Sequence, residues 1–228
     1  MRVVSLVPSV TETLSTWGVP PIACTRFCER PDIVEVGGTK NPNIDAIVSL
    51  QPDVVVLDAQ ENRREDAVAL QRAGIRLVTI DVISITTMID GLTELADALD
   101  IAVTLELPRL EPMRHIRAFI PIWRRPWMSF NEHTFASDLL SIIGVGNVCS
   151  QEGETYPEVT LDDIASRQVD VVLVPSEPYE FSDDHLAELR TIAPTLRVDG
   201  RDLFWWGART VEASHRLRDV IATAMLRD

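Results

Sequence analysis

The sequence has few cysteines and none of the compact motifs that mark the common enzyme classes. Its 228 residues include three cysteines, an odd and sparse set that is typical of free structural thiols in a reducing compartment. Neither a G-x-S-x-G nucleophile elbow nor a G-x-x-x-x-G-K phosphate loop occurs, and the four histidines show no H-x-x-x-H spacing. We therefore expect no catalytic residues, no dedicated metal site and no intrinsic cofactor, and we predict that the protein is not an enzyme.

Long apolar runs and clusters of positive charge are missing as well. No run approaches the roughly 18 apolar residues of a membrane span, so no membrane insertion is expected. The formal net charge of -14 would be repelled by phosphates, which argues against a nucleic-acid partner. Pro8, Ser9 and Glu12 interrupt the apolar stretch that a secretory signal requires. If Met1 is the natural start, the sequence predicts a cytoplasmic protein, whereas an upstream start would permit a periplasmic or extracellular one.

The sequence does contain the same supersecondary pattern twice. Residues 44–62 (IDAIVSLQPDVVVLDAQEN) match residues 161–179 (LDDIASRQVDVVLVPSEPY), and each copy reads as a helix, a buried strand and a polar loop. Two α/β lobes of like construction imply a cleft between them. We predict an α/β fold of two like lobes with a central cleft.

An amphipathic segment connects the two predicted lobes. Its apolar residues from Ile85 to Leu99 have the spacing of one buried helical stripe. Pro108 and Pro112 would break any helix that continued beyond it. The predicted boundaries are residues 1–83 for the N-terminal α/β lobe, 84–117 for the backbone helix and crossover, and 118–228 for the C-terminal α/β lobe.

The loops that follow the predicted strands supply the candidate ligand-binding residues, because ligands bind open α/β sheets beyond the carboxyl ends of parallel strands. Four of the five tryptophans fall on these loops, whereas Trp17, on an amphipathic helix, is predicted to be core. Aromatic rings on loops suit a flat, partly apolar ligand such as a corrin, a porphyrin or an aryl siderophore. The candidates are Phe27, Thr39, Gln60, Glu61 and Asn62 in the first lobe, and Trp123, Trp127, Glu177, Tyr179, Trp205, Trp206 and Arg209 in the second.

Three of these candidates have a second interpretation. Trp205 and Trp206 either face the cleft or cover the sheet edge or the end of the last helix. Adjacent side chains on a strand or turn point in opposite directions, so at most one of them should face the cleft well. Arg209 either pairs with an anionic group of a ligand or neutralises Glu212. The residues alone leave both alternatives open.

Several stretches resemble, in order, the landmarks of a known family. They are RVVSLVPSVTETL, VGGTKNPNIDAIVSLQPDVVVLDAQENR, PIWRRPWMSFNEHTFASDLLSIIGVGNV, YPEVTLDDI, VLVPSEPYEF and WWGART. The chain thereby resembles the helical-backbone metal receptors, the class III periplasmic substrate-binding proteins of ABC importers. In particular it is similar to short members of the cobalamin-binding branch that have no signal peptide.

The resemblance implies two Rossmann-like lobes with a central cleft, joined by a backbone helix as in chelatases and nitrogenase components. It also implies a ligand held between the lobes, with little hinge motion. The implied ligand is tetrapyrrole-like or a metal chelate: cobalamin, haem or a ferric siderophore. An ABC permease is the implied partner, although the sequence shows no export signal that such a role would need. The alternative is an intracellular carrier, sensor or enzyme of metal-cofactor metabolism that keeps the fold without an importer.

Overall fold

The computed structural model describes residues 1–105, 110 and 115–226. Pro108 and Pro112, the predicted helix breakers, lie outside the described residues. The chain divides into two compact units, and the predicted boundaries at residues 84–117 stay a prediction. The N-terminal unit comprises Met1–Val82, Thr86–Leu105 and Trp206–Ala208, and the C-terminal unit comprises Ile83–Ile85, Glu106–Trp205 and Arg209–Asp228.

The N-terminal unit is a parallel sheet with helices. Its elements in chain order are β1 (Val3–Ser5), α1 (Pro8–Thr16), β2 (Ala23–Cys24), a 3-10 turn (Arg26–Cys28), β3 (Val34–Glu35), β4 (Gly37–Gly38), β5 (Asn41–Pro42), α2 (Ile44–Ser49), β6 (Val54–Asp58), α3 (Arg64–Arg72), β7 (Leu77–Ile80) and α4 (Ile85–Leu99). Five strands pair in parallel in the order β3-β2-β1-β6-β7, and β4 and β5 form a short antiparallel hairpin. The consecutive buried residues of β1 and β6 are typical of central strands in a parallel sheet that is covered on both faces.

Apolar side chains from the sheet and the helices form the core of the N-terminal unit. Val4, Val55 and Leu57 from the central strands pack with Ile47 of α2 and Leu70 of α3. Each side chain of this kind contributes about 1.5–3 kcal/mol when it is fully buried. Trp17 is only half-buried, because it lies at the carboxyl end of α1, so the prediction that it is core is wrong.

The C-terminal unit repeats this construction. Its elements are β8 (Ile116–Phe119), β9 (Trp127–Met128), α5 (Phe135–Ile142), β10 (Val145–Asn147), β11 (Glu158–Val159), α6 (Leu161–Ala165), β12 (Val171–Pro175), α7 (Asp183–Leu189), β13 (Thr195–Val198), α8 (Gly200–Phe204) and α9 (Thr210–Met225). Four strands pair in parallel in the order β10-β8-β12-β13, and β9 and β11 pair antiparallel. The predicted α/β class with two Rossmann-like units is confirmed.

The internal repeat extends to single hydrogen bonds at the amino end of each sheet. The Asp53 carboxylate accepts a hydrogen bond of 2.5 Å from the backbone N–H of Arg2, just before β1. The Asp170 carboxylate accepts one of 2.7 Å from the backbone N–H of Arg117, inside β8. Asp53 and Asp170 are equivalent in the two copies. The same residue type therefore fixes the start of the central strand pair in both units.

The remaining expectations concern thiols and membrane spans. Cys24, Cys28 and Cys149 are free and buried, as expected of structural thiols. Over the described part of the chain, no helix combines the length and the apolar character that crossing a membrane requires.

Candidate functional site

Each parallel sheet changes its direction of winding beside its first strand. In the N-terminal unit, β2 and β3 lie on one side of β1, and β6 and β7 lie on the other. In the C-terminal unit, β10 lies on one side of β8, and β12 and β13 lie on the other. Such a switch point is where open α/β sheets bind ligands, beyond the carboxyl ends of the strands. We call residues 6–8 and 58–62 the N-terminal switch loops, and residues 120–127 and 176–181 the C-terminal switch loops.

The N-terminal switch loops are joined by the Asn62 side chain. Its amide nitrogen donates to the backbone carbonyls of Leu6, at 3.2 Å, and Thr39, at 3.0 Å. Its amide oxygen accepts from the backbone N–H of Asp58 at 2.8 Å. Both N–H groups of this predicted ligand-binding residue are therefore engaged in holding the loops and the β4–β5 turn together.

Asp58 ends β6 as a buried carboxylate, with an exposed fraction of 2%. One of its oxygens accepts from the backbone N–H groups of Gln60, at 2.7 Å, and Glu61, at 3.0 Å. Burial raises the pKa of Asp58 from 3.8 to about 6, because desolvation outweighs these two hydrogen bonds. The carboxyl group is therefore poised to change its charge within an accessible pH range.

Polar side chains continue across the N-terminal edge. The Gln60 side chain donates to the Asp81 carboxylate at 2.8 Å, and the Lys40 ammonium donates to the Gln60 backbone carbonyl at 3.0 Å. Glu61 is exposed, whereas Thr39 is buried. This edge therefore offers mainly hydrogen-bonding and charged groups.

Phe27 is the aromatic residue that the sequence predicts for the N-terminal site. It lies on the 3-10 turn after β2 with 54% of its surface exposed. The Arg26 guanidinium lies 5.4 Å from the centre of its ring. The next residue, Cys28, is buried against the hydroxyl groups of Thr11 and Thr25, at 3.2 and 3.3 Å. These contacts fix the turn on its buried side, and the Phe27 ring is exposed to solvent.

The C-terminal switch loops are rich in aromatic contacts. Trp123, 45% exposed, meets Tyr179 edge-on, with ring centres 5.0 Å apart. Trp127 stacks on Phe181, with ring centres 5.9 Å apart and planes 5° from parallel. His185 at the start of α7 lies edge-on to Trp127 at 6.4 Å. Sequence reasoning selected the two tryptophans and Tyr179 but missed Phe181 and His185.

An ion pair supports this aromatic group. The Arg124 guanidinium lies 5.2 Å from the centre of the Trp127 ring and pairs with the Glu188 carboxylate of α7 at 2.6 Å. A cation over an indole face is favoured by the ring quadrupole. The contact therefore links the loop after β8 to the helix after β12.

A second group forms where the loops after β12 and β13 meet. The indole N–H of Trp205 donates to the Glu177 carboxylate at 2.8 Å. The Arg209 guanidinium lies 5.5 Å from the centre of the Trp205 ring, and it pairs with Asp202 at 3.6 Å. Asp202 also accepts two hydrogen bonds from Arg216, at 2.8 and 2.7 Å. The sequence predicted the first three residues of this group but neither Asp202 nor Arg216.

Trp206 differs from its neighbour. It is buried, with an exposed fraction of 5%, whereas Trp205 is half-buried. The backbone N–H of Gly207, the next residue, donates to the sulfur of Met88 on α4 at 3.2 Å. Of the adjacent tryptophans, Trp205 is therefore the one with a ring available to solvent.

Among residues 1–105, 110 and 115–226, no group of three or more His, Cys, Asp or Glu side chains is placed to hold a metal ion. The switch loops of the two units present aromatic faces, arginines and hydrogen-bonding side chains.

The two parallel sheets, each with loops at a switch point, define an α/β protein built from two like units. A family model described as periplasmic binding protein matches residues 3–105 of the chain. The vitamin B12-binding protein of Salmonella choleraesuis (strain SC-B67) is 24% identical over 197 residues, which are 79% of this chain and 74% of that protein. The resemblance predicted from the sequence landmarks is therefore confirmed.

Solved structures share the fold along nearly the whole chain. The periplasmic heme-binding protein RhuT from Roseiflexus sp. RS-1, in apo form, has a TM-score of 0.76 and 17% identity and covers 98% of each chain. The siderophore-binding protein FhuD from Vibrio cholerae, bound to Fe3+-Desferal, has a TM-score of 0.73 and 14% identity and covers 99% of this chain and 98% of that one. The expectation of a cytoplasmic location gains no support, since the matching family and RhuT are both described as periplasmic.

Proposed function

We propose that the protein is a ligand-binding protein for a tetrapyrrole-like or metal-chelate ligand: cobalamin, haem or a ferric siderophore. The observation that carries the proposal is the aromatic surface of the C-terminal switch loops, where the ring centres of Trp123 and Tyr179 lie 5.0 Å apart. Large planar ligands bind to aromatic faces that are fixed in advance, because stacking adds to the free energy of burying apolar area.

The N-terminal switch loops have the complementary chemistry. Gln60, Glu61 and Lys40 lie at this edge with hydrogen-bonding or charged groups. Corrins and porphyrins carry amide or carboxylate groups around an apolar ring, and siderophores carry polar chelating groups around a metal. The aromatic faces of the C-terminal unit and the polar groups of the N-terminal unit each suit part of a ligand of that kind.

The similar proteins support the same ligand class. They include a protein named for vitamin B12, one named for heme and one named for a siderophore. In this function the bound metal arrives inside the ligand, the protein has no catalytic step, and the aromatic residues together with Glu177 and Arg209 belong to the binding machinery. We propose a periplasmic or extracellular location with an ABC permease as the partner, as the periplasmic family description suggests.

Titration of the purified protein with hydroxocobalamin, haem and a panel of ferric siderophores tests this function. Tryptophan fluorescence and the visible spectrum of the ligand report binding. We expect saturable binding of one ligand class with one site per chain, which is weakened in Trp123→Ala. The matched control is Trp17→Phe, because Trp17 lies at the end of α1, away from the switch loops. Absence of saturable binding across the whole panel would overturn the proposal.

A further inference from the structure

We propose that Glu177 is a positioning residue, which acts on the ligand by holding the ring of Trp205 rather than by binding a polar group of the ligand. Trp205, braced in this way, is a preformed aromatic platform at the carboxyl edge of the C-terminal sheet. The inference rests on the proposed function, because it takes Trp205 to be a ligand contact.

The orientation of the Trp205 ring is fixed at two points. Its single polar group, the indole N–H, is held by the Glu177 carboxylate at 2.8 Å. One of its faces is covered by the Arg209 guanidinium at 5.5 Å. A hydrogen bond to a charged acceptor is stronger than a neutral one, and a cation over the ring adds further attraction. Together they restrict rotation of a side chain that is only half-buried.

Arg209 is in turn held in place by a buried carboxylate. Asp202, with 4% of its surface exposed, accepts two hydrogen bonds from Arg216 and pairs with Arg209 at 3.6 Å. Hydrogen bonding to Asp202 raises the pKa of Arg216 above its usual value, so Arg216 stays protonated at physiological pH. The buried carboxylate therefore fixes the guanidinium that lies over the Trp205 ring.

The loop that carries Glu177 packs closely against the start of α8. The N–H of Gly200, at the start of α8, donates to the Ser176 hydroxyl at 2.9 Å. A Cβ atom on Gly200 would lie 2.5 Å from Cγ of Glu177 and 2.7 Å from its backbone nitrogen. Because no side chain fits there, glycine at position 200 lets the loop after β12 dock onto α8, the helix that leads to Trp205.

The internal repeat supports a positioning role. Glu177 is equivalent to Gln60 of the N-terminal unit. The Gln60 side chain donates to Asp81, which follows the edge strand β7. Glu177 accepts from Trp205, which follows the edge strand β13 by way of α8. In both units, this position ties the loop of a central strand to the segment that follows the neighbouring edge strand.

We call the contact of Glu177 with the Trp205 indole N–H the brace. Nuclear magnetic resonance of the 15N-labelled protein tests it without any ligand. The indole N–H signal of Trp205 is assigned by its loss in Trp205→Phe. We expect the signal to shift and to exchange with water at least about tenfold faster in Glu177→Ala. In Glu177→Gln the amide oxygen still accepts, so exchange should remain slow. The matched control is Asp183→Asn, which removes an exposed carboxylate at the start of α7 in the same unit. An unchanged signal in Glu177→Ala overturns the proposal.

Ligand titration of the same variants separates the brace from the function. If Glu177 acts through Trp205, Glu177→Ala should weaken binding by roughly three- to tenfold, and Glu177→Gln should weaken it less. If Glu177 binds a charged group of the ligand, the two variants should weaken binding equally, and the positioning role is then refuted. If no ligand of the panel binds to the wild-type protein, the proposed function fails, while the magnetic resonance result still decides whether the brace exists.

Discussion

Gln51 and Gln168 occupy the same position in the two copies of the internal repeat, and both have a left-handed backbone, with φ of 47° and 54°. Each follows a short helix that leads into a central strand, α2 before β6 and α6 before β12. A residue with a Cβ atom in this conformation is strained by about 1–2 kcal/mol. The duplicated turn therefore carries the same local strain in both units.

Glycine at either position should stabilise the protein. Gln51→Gly and Gln168→Gly relieve the steric strain, although glycine loses more backbone entropy on folding, so we expect a gain of about 0.5–1 kcal/mol in each. The free energy of unfolding, measured by urea denaturation, checks the prediction. Gln71→Gly, on an exposed position inside α3, is the control and should lose about 0.5–1 kcal/mol. A loss in the two turn variants equal to that of the control would refute the argument.

Asn62 should be required for stability of the N-terminal unit. Asn62→Asp keeps the shape of the side chain but replaces its two N–H donors with an oxygen that faces the carbonyls of Leu6 and Thr39. We expect a loss of about 2–4 kcal/mol in the free energy of unfolding, because two buried acceptors lose their partner beside a new charge. The control is Asn41→Asp, whose side-chain oxygen accepts from Arg26, and it should change stability by less than about 0.5 kcal/mol. Equal losses in both variants would contradict the structural role of Asn62.

The sequence predicted the secondary-structure elements that carry the switch loops, but it did not predict the side-chain contacts within those loops. The duplicated helix-strand-loop pattern predicted the central strands and the loops after them, because apolar runs and polar breaks are local signals. The contacts of Asn62 span 56 and 23 residues along the chain, and no local pattern encodes which carbonyls it meets. A polar residue after a strand is therefore recognised as part of a switch loop, but not as its structural support.

The C-terminal group shows the same limit. Glu177, Trp205 and Arg209 were each predicted as ligand contacts from their place on loops. Their arrangement depends on Asp202 and Arg216, which pair across the packing of α8 against α9. One signal was available in the sequence: the repeat makes Glu177 equivalent to Gln60, and equivalent positions favour equivalent roles.

Asp58 should make the stability of the protein depend on pH. Its pKa rises from 3.8 to about 6 on burial, so the folded state binds this proton more tightly than the unfolded state does. The stabilising contribution is therefore present below pH 4 and is lost as the pH rises through about 6, by on the order of 2–3 kcal/mol. The free energy of unfolding, measured by urea denaturation, should differ less between pH 4.5 and pH 7 in Asp58→Asn than in the wild-type protein. Gln60→Ala, a neutral change in the same loop, should keep the difference, and the prediction fails if Asp58→Asn keeps it too.

Lys40 provides a direct test of whether the N-terminal switch loops take part in ligand binding. It is the only lysine of the chain, it is exposed, and its ammonium group donates to the Gln60 carbonyl at 3.0 Å. An amine-acylating reagent therefore has one side-chain target among these residues, Lys40, besides the terminal amino group of the polypeptide. Because a bound ligand at the switch loops would restrict access to Lys40, we expect saturating ligand to slow its acylation by about threefold or more, an effective shielding of at least about 0.6 kcal/mol. The terminal amino group serves as the internal reference in the same mass spectrum. Equal acylation of Lys40 with and without a ligand that binds would exclude this edge from the site and leave the aromatic C-terminal loops as the ligand-binding surface.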